Sequence, residues 1–260
     1  MKTNSFFLKV IRLSIRLMIK LEKFELLEKL EHEILIELGR GWGAETWREE
    51  VQILKRQITA LDLDPTLIFD VGANIGHYSR ELCSNFPRAQ VIAFEPNPES
   101  FQQLLENLSN FSNFSAFNYG ASDRTREDFL YESEVGSPLA SIDNTNPIFT
   151  RIKIDLVSLD DFCRNADLSP DIMKIDVEGH EFKVMQGATE TIKKLKMLQF
   201  EFGPTNIHSR VFFKDIWDFL APLGFEINVM SKVGLIKIRH YKELYESYRT
   251  TNYLAIKTKK

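Results

Sequence analysis

The sequence has few cysteines, no long apolar run and no excess of positive charge. Its two cysteines, Cys83 and Cys163, form no CxxC pair and stand in no cluster with histidine, which argues against a disulfide framework or a structural zinc site. The net charge of -4 argues against non-specific binding of duplex nucleic acid, which needs many basic contacts to phosphate. These absences predict a protein of the reducing cytoplasm that has no nucleic-acid partner.

The N-terminal segment, residues 1–60, has the pattern of amphipathic helices. Lys9, Arg12, Arg16 and Lys20 interrupt every apolar run, so neither a signal-peptide core nor a span of about 20 apolar residues is present. The segment changes from basic to acidic along its length. Three interpretations stay open: packing on the protein's own domain, packing on a second subunit in a homodimer, and peripheral contact with the inner membrane.

From Pro65 onward, short apolar runs alternate with helical patterns, which is typical of a mostly parallel sheet with helices on both faces. Seven candidate strands are TLIFDV, QVIAFE, FSAFNY, DIMKID, MLQFEF, FEINVM and NYLAIK. Candidate helices cover residues 78–85, 99–107, 181–194 and 212–220. An insertion over residues 122–170 has the length of a substrate lid and contains the strand-like RIKIDLV. The chain thus divides into a helical extension, residues 1–60, and an α/β domain, residues 61–260.

The stretch LIFDVGANIGHYSRE, residues 67–81, predicts a cofactor-binding loop. Asp70 closes a buried strand at its carboxyl end, where open α/β sheets bind ligands. Gly72 lets the backbone turn tightly, Asn74 lies in the loop, and Gly76 would let the backbone approach a ligand closely. The spacing is GxxxG and differs from the GxGxxG fingerprint of dinucleotide binding, so a cofactor without a pyrophosphate is favoured.

The next two strand ends extend this loop into an adenosine pocket. Glu95 ends the second strand, where a carboxylate can accept hydrogen bonds from both ribose hydroxyls, and Pro96 stops the strand. Asp123 follows the third strand and is predicted to accept a hydrogen bond from an adenine amino group. Each of these acids alone could be a helix cap or a turn residue, but three in this order predict a nucleoside site.

These motifs, together with MKIDVEGHEFKVMQGA at residues 173–188, resemble the FkbM family of S-adenosylmethionine-dependent methyltransferases. The resemblance covers residues 65–257. It implies the class I methyltransferase fold, Rossmann-like, with a seven-stranded, mostly parallel sheet whose last strand is reversed. It also implies S-adenosyl-L-methionine as cofactor and methyl transfer, usually to a hydroxyl of a sugar, a polyketide or a similar metabolite.

The motif KIDVEGHE supplies the predicted catalytic residues. Asp176 and His180 are the leading candidates to accept the acceptor's proton, and the resemblance implies that this motif, with Asp176, faces the cofactor's methionine end. Glu178 and Glu201 would orient sugar hydroxyls or the base. Alternatively, Glu178 and His180 cap the helix that begins after Gly179. A divalent metal held by Asp176, Glu178, Glu201 and His208 is a minor alternative, so no metal ligands are assigned.

The sequence therefore predicts a cytoplasmic O-methyltransferase that acts on a sugar hydroxyl in a bacterial surface glycan or its lipid-linked precursor. The acceptor could instead be the hydroxyl of a non-sugar metabolite. Two other functions are weighed: a nicotinamide-dependent oxidoreductase, which the loop spacing disfavours, and a catalytically silent adenosine-binding module.

Overall fold

A computed structural model describes residues 3–43, 46–132, 140–143 and 148–258, with side chains from residue 7 onward. In these ranges the helices are α1 (Thr3–Lys20), α2 (Phe24–Glu37), α3 (Trp47–Ala60), α4 (His77–Asn85), α5 (Pro98–Leu108), α6 (Leu159–Ala166), α7 (Glu181–Gly187), α8 (Thr189–Lys194), α9 (Asn206–Ser209) and α10 (Phe213–Leu220). The strands are β1 (Leu67–Val71), β2 (Gln90–Phe94), β3 (Phe114–Phe117), β4 (Gly120–Ala121), β5 (Arg126–Glu132), β6 (Thr150–Val157), β7 (Ile172–Ile175), β8 (Met197–Phe202), β9 (Phe225–Ser231), β10 (Gly234–Lys237) and β11 (Thr251–Lys257).

The main sheet has the order β10-β9-β11-β8-β7-β1-β2-β3. The neighbours β3, β2, β1, β7 and β8 are parallel, and β11 runs antiparallel to both β8 and β9. This confirms the predicted class I fold with its reversed last strand. All seven predicted strands are present, and β10 adds an eighth by folding back on β9.

Helices cover both faces of this sheet because its strands are apolar on both sides. Phe69, Val71 and Phe94 point to one face, which α6, α7, α8 and α10 cover. Ile68 and Val91 point to the opposite face, which α3, α4 and α5 cover. Since strands buried on both faces need such covering layers, the arrangement follows from the near-continuous apolar runs in the sequence.

The insertion forms a second, three-stranded sheet of order β4-β6-β5. The β5–β6 pair is antiparallel, and the predicted strand RIKIDLV forms most of β6. Helix α6 was not predicted, although Ser158 caps it by accepting a hydrogen bond from the Asp161 backbone N–H at 3.4 Å. Two parts of the insertion, residues 133–139 and 144–147, lie outside the described residues.

The N-terminal segment contains two different structural parts. Helix α3 is part of the core, because Val51, Leu54 and Ile58 are buried against the sheet. Helix α2, in contrast, has no buried residue, and α1 is exposed along the side chains that the structure describes. The predicted boundary at residue 60 cuts this packing, and we propose that the boundary lies before α3. Among the described residues, no helix has both the length and the apolar character that a membrane span requires.

Candidate active site

The loop between β1 and α4 adopts left-handed backbone conformations at Gly72, Asn74 and Gly76, with φ values of 82°, 48° and 90°. A Cβ on Gly72 would lie 1.8 Å from the carbonyl oxygen of Asp176. The neighbouring strand end therefore requires glycine at this position, in addition to the tight turn that the sequence predicts. The backbone N–H groups of Gly72 and Ala73 both donate to the Phe94 carbonyl oxygen, at 2.9 and 3.1 Å.

Gly76 has a different role from the predicted one. A Cβ at this position would meet the Leu108 and Leu104 methyl carbons of α5, at 2.4 and 2.6 Å, rather than a ligand. The missing side chain thus allows α5 to pack closely against the N-terminus of α4. The sequence signal for this contact is the four-residue spacing of the two leucines, which places them on one face of their helix.

Asp70 lies at the carboxyl end of β1 and is fully buried. Its Oδ2 accepts a hydrogen bond from Ser79 Oγ at 2.6 Å. Its Oδ1 has no hydrogen-bond partner, although Lys174 Nζ lies 3.5 Å away and makes an ion pair with it. A buried carboxylate oxygen with an unused lone pair is costly, which marks this position as a place where a ligand or a bound water would donate.

Glu95 lies at the end of β2 and is 7% exposed. Its two carboxylate oxygens accept hydrogen bonds from the backbone N–H groups of Asn74 and Asn97, both at 2.8 Å. Burial raises the pKa of Glu95 to about 7, and these two donors offset the effect only in part. The glycine loop and the second strand end are therefore joined through one carboxylate, and Pro96 follows it directly. This brings together the predicted residues of the first two strand ends.

Asp123 bonds to a different set of residues from Asp70 and Glu95. It follows β4 in the second sheet rather than β3, because β3 ends at Phe117. Its Oδ1 accepts hydrogen bonds from Ser122 Oγ at 2.9 Å and from Arg126 Nη1 at 2.8 Å. Burial raises the pKa of Asp123, but the bonds from Ser122 and Arg126 outweigh it, so the pKa is lowered. Its predicted bond to adenine would have to use the remaining lone pairs.

His180 holds the insertion against the catalytic motif. It is 2% exposed, and both ring nitrogens are engaged: Nε2 with Ser122 Oγ at 2.9 Å and Nδ1 with Asp143 Oδ2 at 2.7 Å. Ser141 Oγ adds a second tie by donating to the Glu178 carbonyl oxygen at 2.9 Å. In this arrangement the imidazole has no free nitrogen to accept a proton from a substrate. Both nitrogens are thus occupied by protein groups, and proton acceptance by His180 stays a prediction.

The capping interpretation of this motif needs correction, since neither of the predicted residues caps α7. Glu181, the first residue of α7, instead fixes the turn before the helix: its Oε1 accepts hydrogen bonds from the backbone N–H groups of Val177 and Gly179, both at 3.1 Å. Its Oε2 accepts a bond from Asn206 Nδ2 at 3.0 Å. Asn206 is fully buried and was not predicted, because its partner lies 25 residues earlier in the chain.

A group of acids lies at the carboxyl ends of β7 and β8. Asp176 is 32% exposed and its Oδ2 lies 3.2 Å from Lys174 Nζ. Burial, Asp176 and Glu181 together raise the pKa of Glu178 to about 8. Burial, Asp176 and Glu178 raise the pKa of Glu201 well above its usual value. We call Asp176, Glu178 and Glu201 the acid cluster. The raised pKa values make Glu178 and Glu201 stronger bases than a free carboxylate, and a general base works best when its pKa lies near the operating pH.

Lys174 is the cation that faces this edge, and the sequence analysis missed it. Burial acts against its charge, but Asp176 and Asp70 outweigh burial and raise the pKa of Lys174. Its ammonium also lies 4.8 Å from the centre of the Tyr78 ring. A lysine inside an otherwise apolar parallel strand, MKI, was the available signal, because such a residue is rarely buried without partners.

No group of three or more histidine, cysteine, aspartate or glutamate side chains within the described ranges is arranged to hold a metal ion. His208, the fourth candidate ligand, lies on α9 and is exposed. The prediction that these residues hold no metal ion therefore stays a prediction.

A groove of about 610 Å³ is lined in part by Arg126, which forms an ion pair with Asp123. Its walls combine aromatic rings with charged and amide groups: Phe117, Tyr119, Phe162, Arg126, Asp155, Asp161 and Asn165 are among its residues. The rings of Phe117 and Tyr119 are stacked, 6.3 Å apart and inclined by 6°. Such a combination of flat apolar and polar surface suits a ligand of mixed polarity.

Comparison with known proteins gives the family. The model described as "Methyltransferase FkbM domain" matches residues 70–227. The hexuronic acid methyltransferase AglP of Haloferax volcanii is 30% identical over 197 residues, covering 74% of this chain and 77% of AglP. The 2-O-methyltransferase NoeI of Sinorhizobium fredii is 28% identical over 184 residues, covering 64% of this chain and 76% of NoeI.

The solved structures add a general likeness. The precorrin-6y C5,15-methyltransferase of Geobacter metallireducens has a TM-score of 0.45 and 16% identity, covering 80% of this chain and 88% of that one. A similarity of this size carries no information on the substrate. The family match contradicts the alternative of a nicotinamide-dependent oxidoreductase. The chain belongs to the FkbM family of methyltransferases, as its motifs predict, and is an S-adenosylmethionine-dependent methyltransferase.

Proposed function

We propose that this enzyme transfers a methyl group from S-adenosylmethionine to a hydroxyl of a sugar, in the cytoplasmic synthesis of a bacterial surface glycan or its precursor. The observation that carries the proposal is the acid cluster at the carboxyl ends of β7 and β8. A carboxylate of this cluster could accept a proton beside the predicted cofactor loop. A hydroxyl acceptor needs such a group because, unlike a carboxylate acceptor, it must lose a proton during methyl transfer.

The residues at the sheet edge fit the cofactor. S-adenosylmethionine supplies an electrophilic methyl group on a sulfonium centre and carries a positive charge. The buried Oδ1 of Asp70 has no hydrogen-bond donor, so it suits an ammonium group. Glu95 has lone pairs beyond those used by its two backbone donors and would bind ribose hydroxyls. Lys174 keeps the edge from carrying uncompensated charge by pairing with Asp70 and Asp176.

Proton acceptance is assigned to Glu178 and Glu201. Glu178 raises the pKa of Glu201 by charge repulsion, so the two carboxyls do not readily ionise together and one can be ionised while the other stays neutral. The ionised carboxylate would take the hydroxyl proton, and the neutral one would donate a hydrogen bond to the acceptor. Asp176 is held by Lys174 and is assigned to orientation. His180 is assigned to positioning, because it ties residues 140–143 to the motif.

The choice of a hydroxyl over a carboxyl acceptor follows from charge. An anionic acceptor would be repelled by the acid cluster, whereas a neutral hydroxyl would not. The name of NoeI, a 2-O-methyltransferase, supports a hydroxyl acceptor, and the name of AglP, a hexuronic acid methyltransferase, supports a sugar. The name of AglP also favours a second candidate, methylation of a uronate carboxyl.

The experiment measures transfer of labelled methyl from S-adenosylmethionine to glycan precursors extracted from cells that lack the gene. We expect a product that survives mild alkali, as a methyl ether does and a methyl ester does not. Glu201→Gln should lower kcat at least about 100-fold, the usual contribution of a general base. Binding of S-adenosylhomocysteine, measured by calorimetry, should change little.

Glu243→Gln is the matched control, because Glu243 is an exposed glutamate on the 3₁₀ turn Glu243–Tyr245, and it should leave both readings unchanged. An alkali-labile product would contradict the hydroxyl assignment. Cofactor binding without transfer to any extracted glycan would favour the silent module. Unchanged kcat in both Glu178→Gln and Glu201→Gln would remove the acid cluster from catalysis. The predicted homodimer can be tested separately by sedimentation of the full chain.

A further inference from the structure

Helix α1 carries its charge in one narrow stripe. Lys9, Arg12, Arg16 and Lys20 fall within about 80° of the helix circumference at 3.6 residues per turn. The helix contains no acidic residue. The stripe is therefore purely cationic, and three residues separate its helix from α2.

The rest of the circumference of α1 is apolar and uncovered. Phe7 is 65% exposed, Leu13 70% and Leu17 56%. The other exposed apolar residues of this helix are Leu8, Val10, Ile11, Ile15 and Ile19. Over residues 7–20, Ser14 is the one polar residue on this side, and its hydroxyl donates to the Val10 carbonyl oxygen at 3.1 Å. Its hydrogen bond is therefore satisfied within the helix, as an apolar environment requires.

Two surfaces could cover such a helix, a second copy of the chain or a lipid bilayer. A helix that packs in a dimer needs an apolar stripe of about 100°, whereas α1 is apolar over about 240°. Pairing with the acidic α2 of a second copy is disfavoured, because the cationic stripe lies opposite the apolar arc. Burying that arc in a helix bundle would turn the stripe away from the partner helix.

A bilayer interface satisfies both sides of α1 at once. The apolar arc enters the boundary of the acyl chains, and the lysines and arginines reach the headgroup phosphates. Because all of the charge on α1 is positive, an anionic leaflet is favoured over a neutral one.

The arm formed by α1 and α2 is attached beside the active site. After α2, the Gly41 N–H donates to the Thr250 carbonyl oxygen at 2.6 Å, and Trp42 forms a bridge with Thr251. Thr251 pairs with Phe202, at the carboxyl end of β8. Glu201, a member of the acid cluster, immediately precedes Phe202 in β8. The arm is thus attached at the same sheet edge that carries the proposed proton acceptors.

From these observations we infer that α1 is an interfacial helix that binds an anionic membrane surface and holds the active-site edge of the sheet near it. The acceptor would then be a membrane-held one, such as a lipid-linked sugar. This last step rests on the proposed function, whereas membrane binding by α1 does not.

The test is flotation of the full-length protein with vesicles of phosphatidylcholine, with and without about 30% phosphatidylglycerol. We expect the wild type to float with the anionic vesicles only. Arg12→Gln/Arg16→Gln should lower the partition coefficient about 25-fold, or about fivefold per cation. Leu13→Gln/Leu17→Gln should also release the protein. Lys29→Gln/Arg56→Gln removes the same charge from α2 and α3 and should bind as the wild type does.

Thermal stabilisation by S-adenosylhomocysteine shows that each variant is folded, independently of the vesicles. Equal binding to both vesicle types, or an equal loss in the Lys29/Arg56 control, would overturn the inference. So would a wild-type dimer that Leu13→Gln/Leu17→Gln dissociates and that floats with neither vesicle, because α1 would then be a subunit interface. If flotation follows the expectation but no glycan is methylated, the membrane site stands and the proposed function fails.

Discussion

Glu50 offers a test of how burial of a carboxyl controls stability in this fold. It lies on α3, is 4% exposed, and sits between α3 and the sheet. Its Oε2 accepts a hydrogen bond from Gln199 Nε2 at 2.7 Å, and its Oε1 accepts one from Asn252 Nδ2 at 3.0 Å. Thr46 Oγ1 donates a hydrogen bond to Oε1 at 2.5 Å, which favours the ionised carboxylate and works against burial. Burial, as the largest influence, raises the pKa of Glu50 from 4.5 to about 7.

The sign of the effect follows from proton binding. The folded state holds the Glu50 proton up to about pH 7, whereas the unfolded state loses it near pH 4.5. Between these values the folded state binds more protons, so the free energy of unfolding falls as the pH rises. At about 1.4 kcal/mol per pH unit the full loss is about 3.4 kcal/mol, of which about 2.5 kcal/mol develops between pH 5 and pH 8.

The substitution Glu50→Gln removes this titration, and Glu49→Gln, an exposed neighbour on the same helix, is the control. The measurement is the free energy of unfolding from guanidinium denaturation at pH 5 and pH 8. Relative to wild type, Glu50→Gln should gain about 2.5 kcal/mol between the two pH values, and Glu49→Gln should gain close to zero. Parallel pH profiles for Glu50→Gln and wild type would show that burial does not hold the proton, and would refute the reasoning.

Three further substitutions test other contacts. Gly76→Ala combines the strain of a positive φ with a clash against Leu104 and Leu108. The control is Gly234→Ala, because Gly234 also has a positive φ, 117°, but its Cβ would meet nothing within 4 Å. Gly76→Ala should lower Tm by several degrees more than this control. Asn97→Ala removes the N-cap of α5 and should cost about 1 kcal/mol in urea denaturation, and a cost near zero would deny the cap. Lys174→Met leaves Asp70 and Asp176 without their cation and should lower the free energy of unfolding by about 3–5 kcal/mol in urea denaturation. An unchanged free energy of unfolding would show that these ion pairs do not stabilise the fold.

Much of the fold could be predicted because apolar runs and strand order are local signals. β1, β2, β7 and β8 are short, apolar and bounded by acids or prolines, and each was predicted at nearly its observed position. Helix α6 was missed because its sequence LDDFCRNA buries only Leu159 and Cys163, so its apolar face is narrow. The two-residue β4 and the hairpin strand β10 were missed since neither is long enough to show a period.

The location of the candidate site was predictable where an apolar run ends in an acid, as with Asp70 and Glu95, whose binding roles stay predictions. The role of a residue was not predictable where it depends on a distant partner. His180 looked like a base because histidine titrates near neutral pH, yet Asp143, 37 residues earlier, takes one of its nitrogens. Gly76 was predicted to approach a ligand, yet its nearest neighbours are the Leu104 and Leu108 side chains of α5. The sequence pattern predicts where a strand ends, but it does not predict which side chains from distant parts of the chain contact that end.

The charges at the sheet edge explain why acids can be concentrated there. Asp70, Glu95 and the acid cluster share Lys174 as a nearby cation in the part of the chain that the structure describes. Such an arrangement costs stability, because burial and mutual repulsion keep several of these carboxyls from ionising. The cost has a functional counterpart, since those carboxylates that are ionised at this edge attract a cofactor that carries a sulfonium. After methyl transfer the sulfur is neutral, so the same edge attracts the product less strongly than it attracts the cofactor. The carboxylates that destabilise the fold would thus favour both binding of the charged cofactor and release of its product.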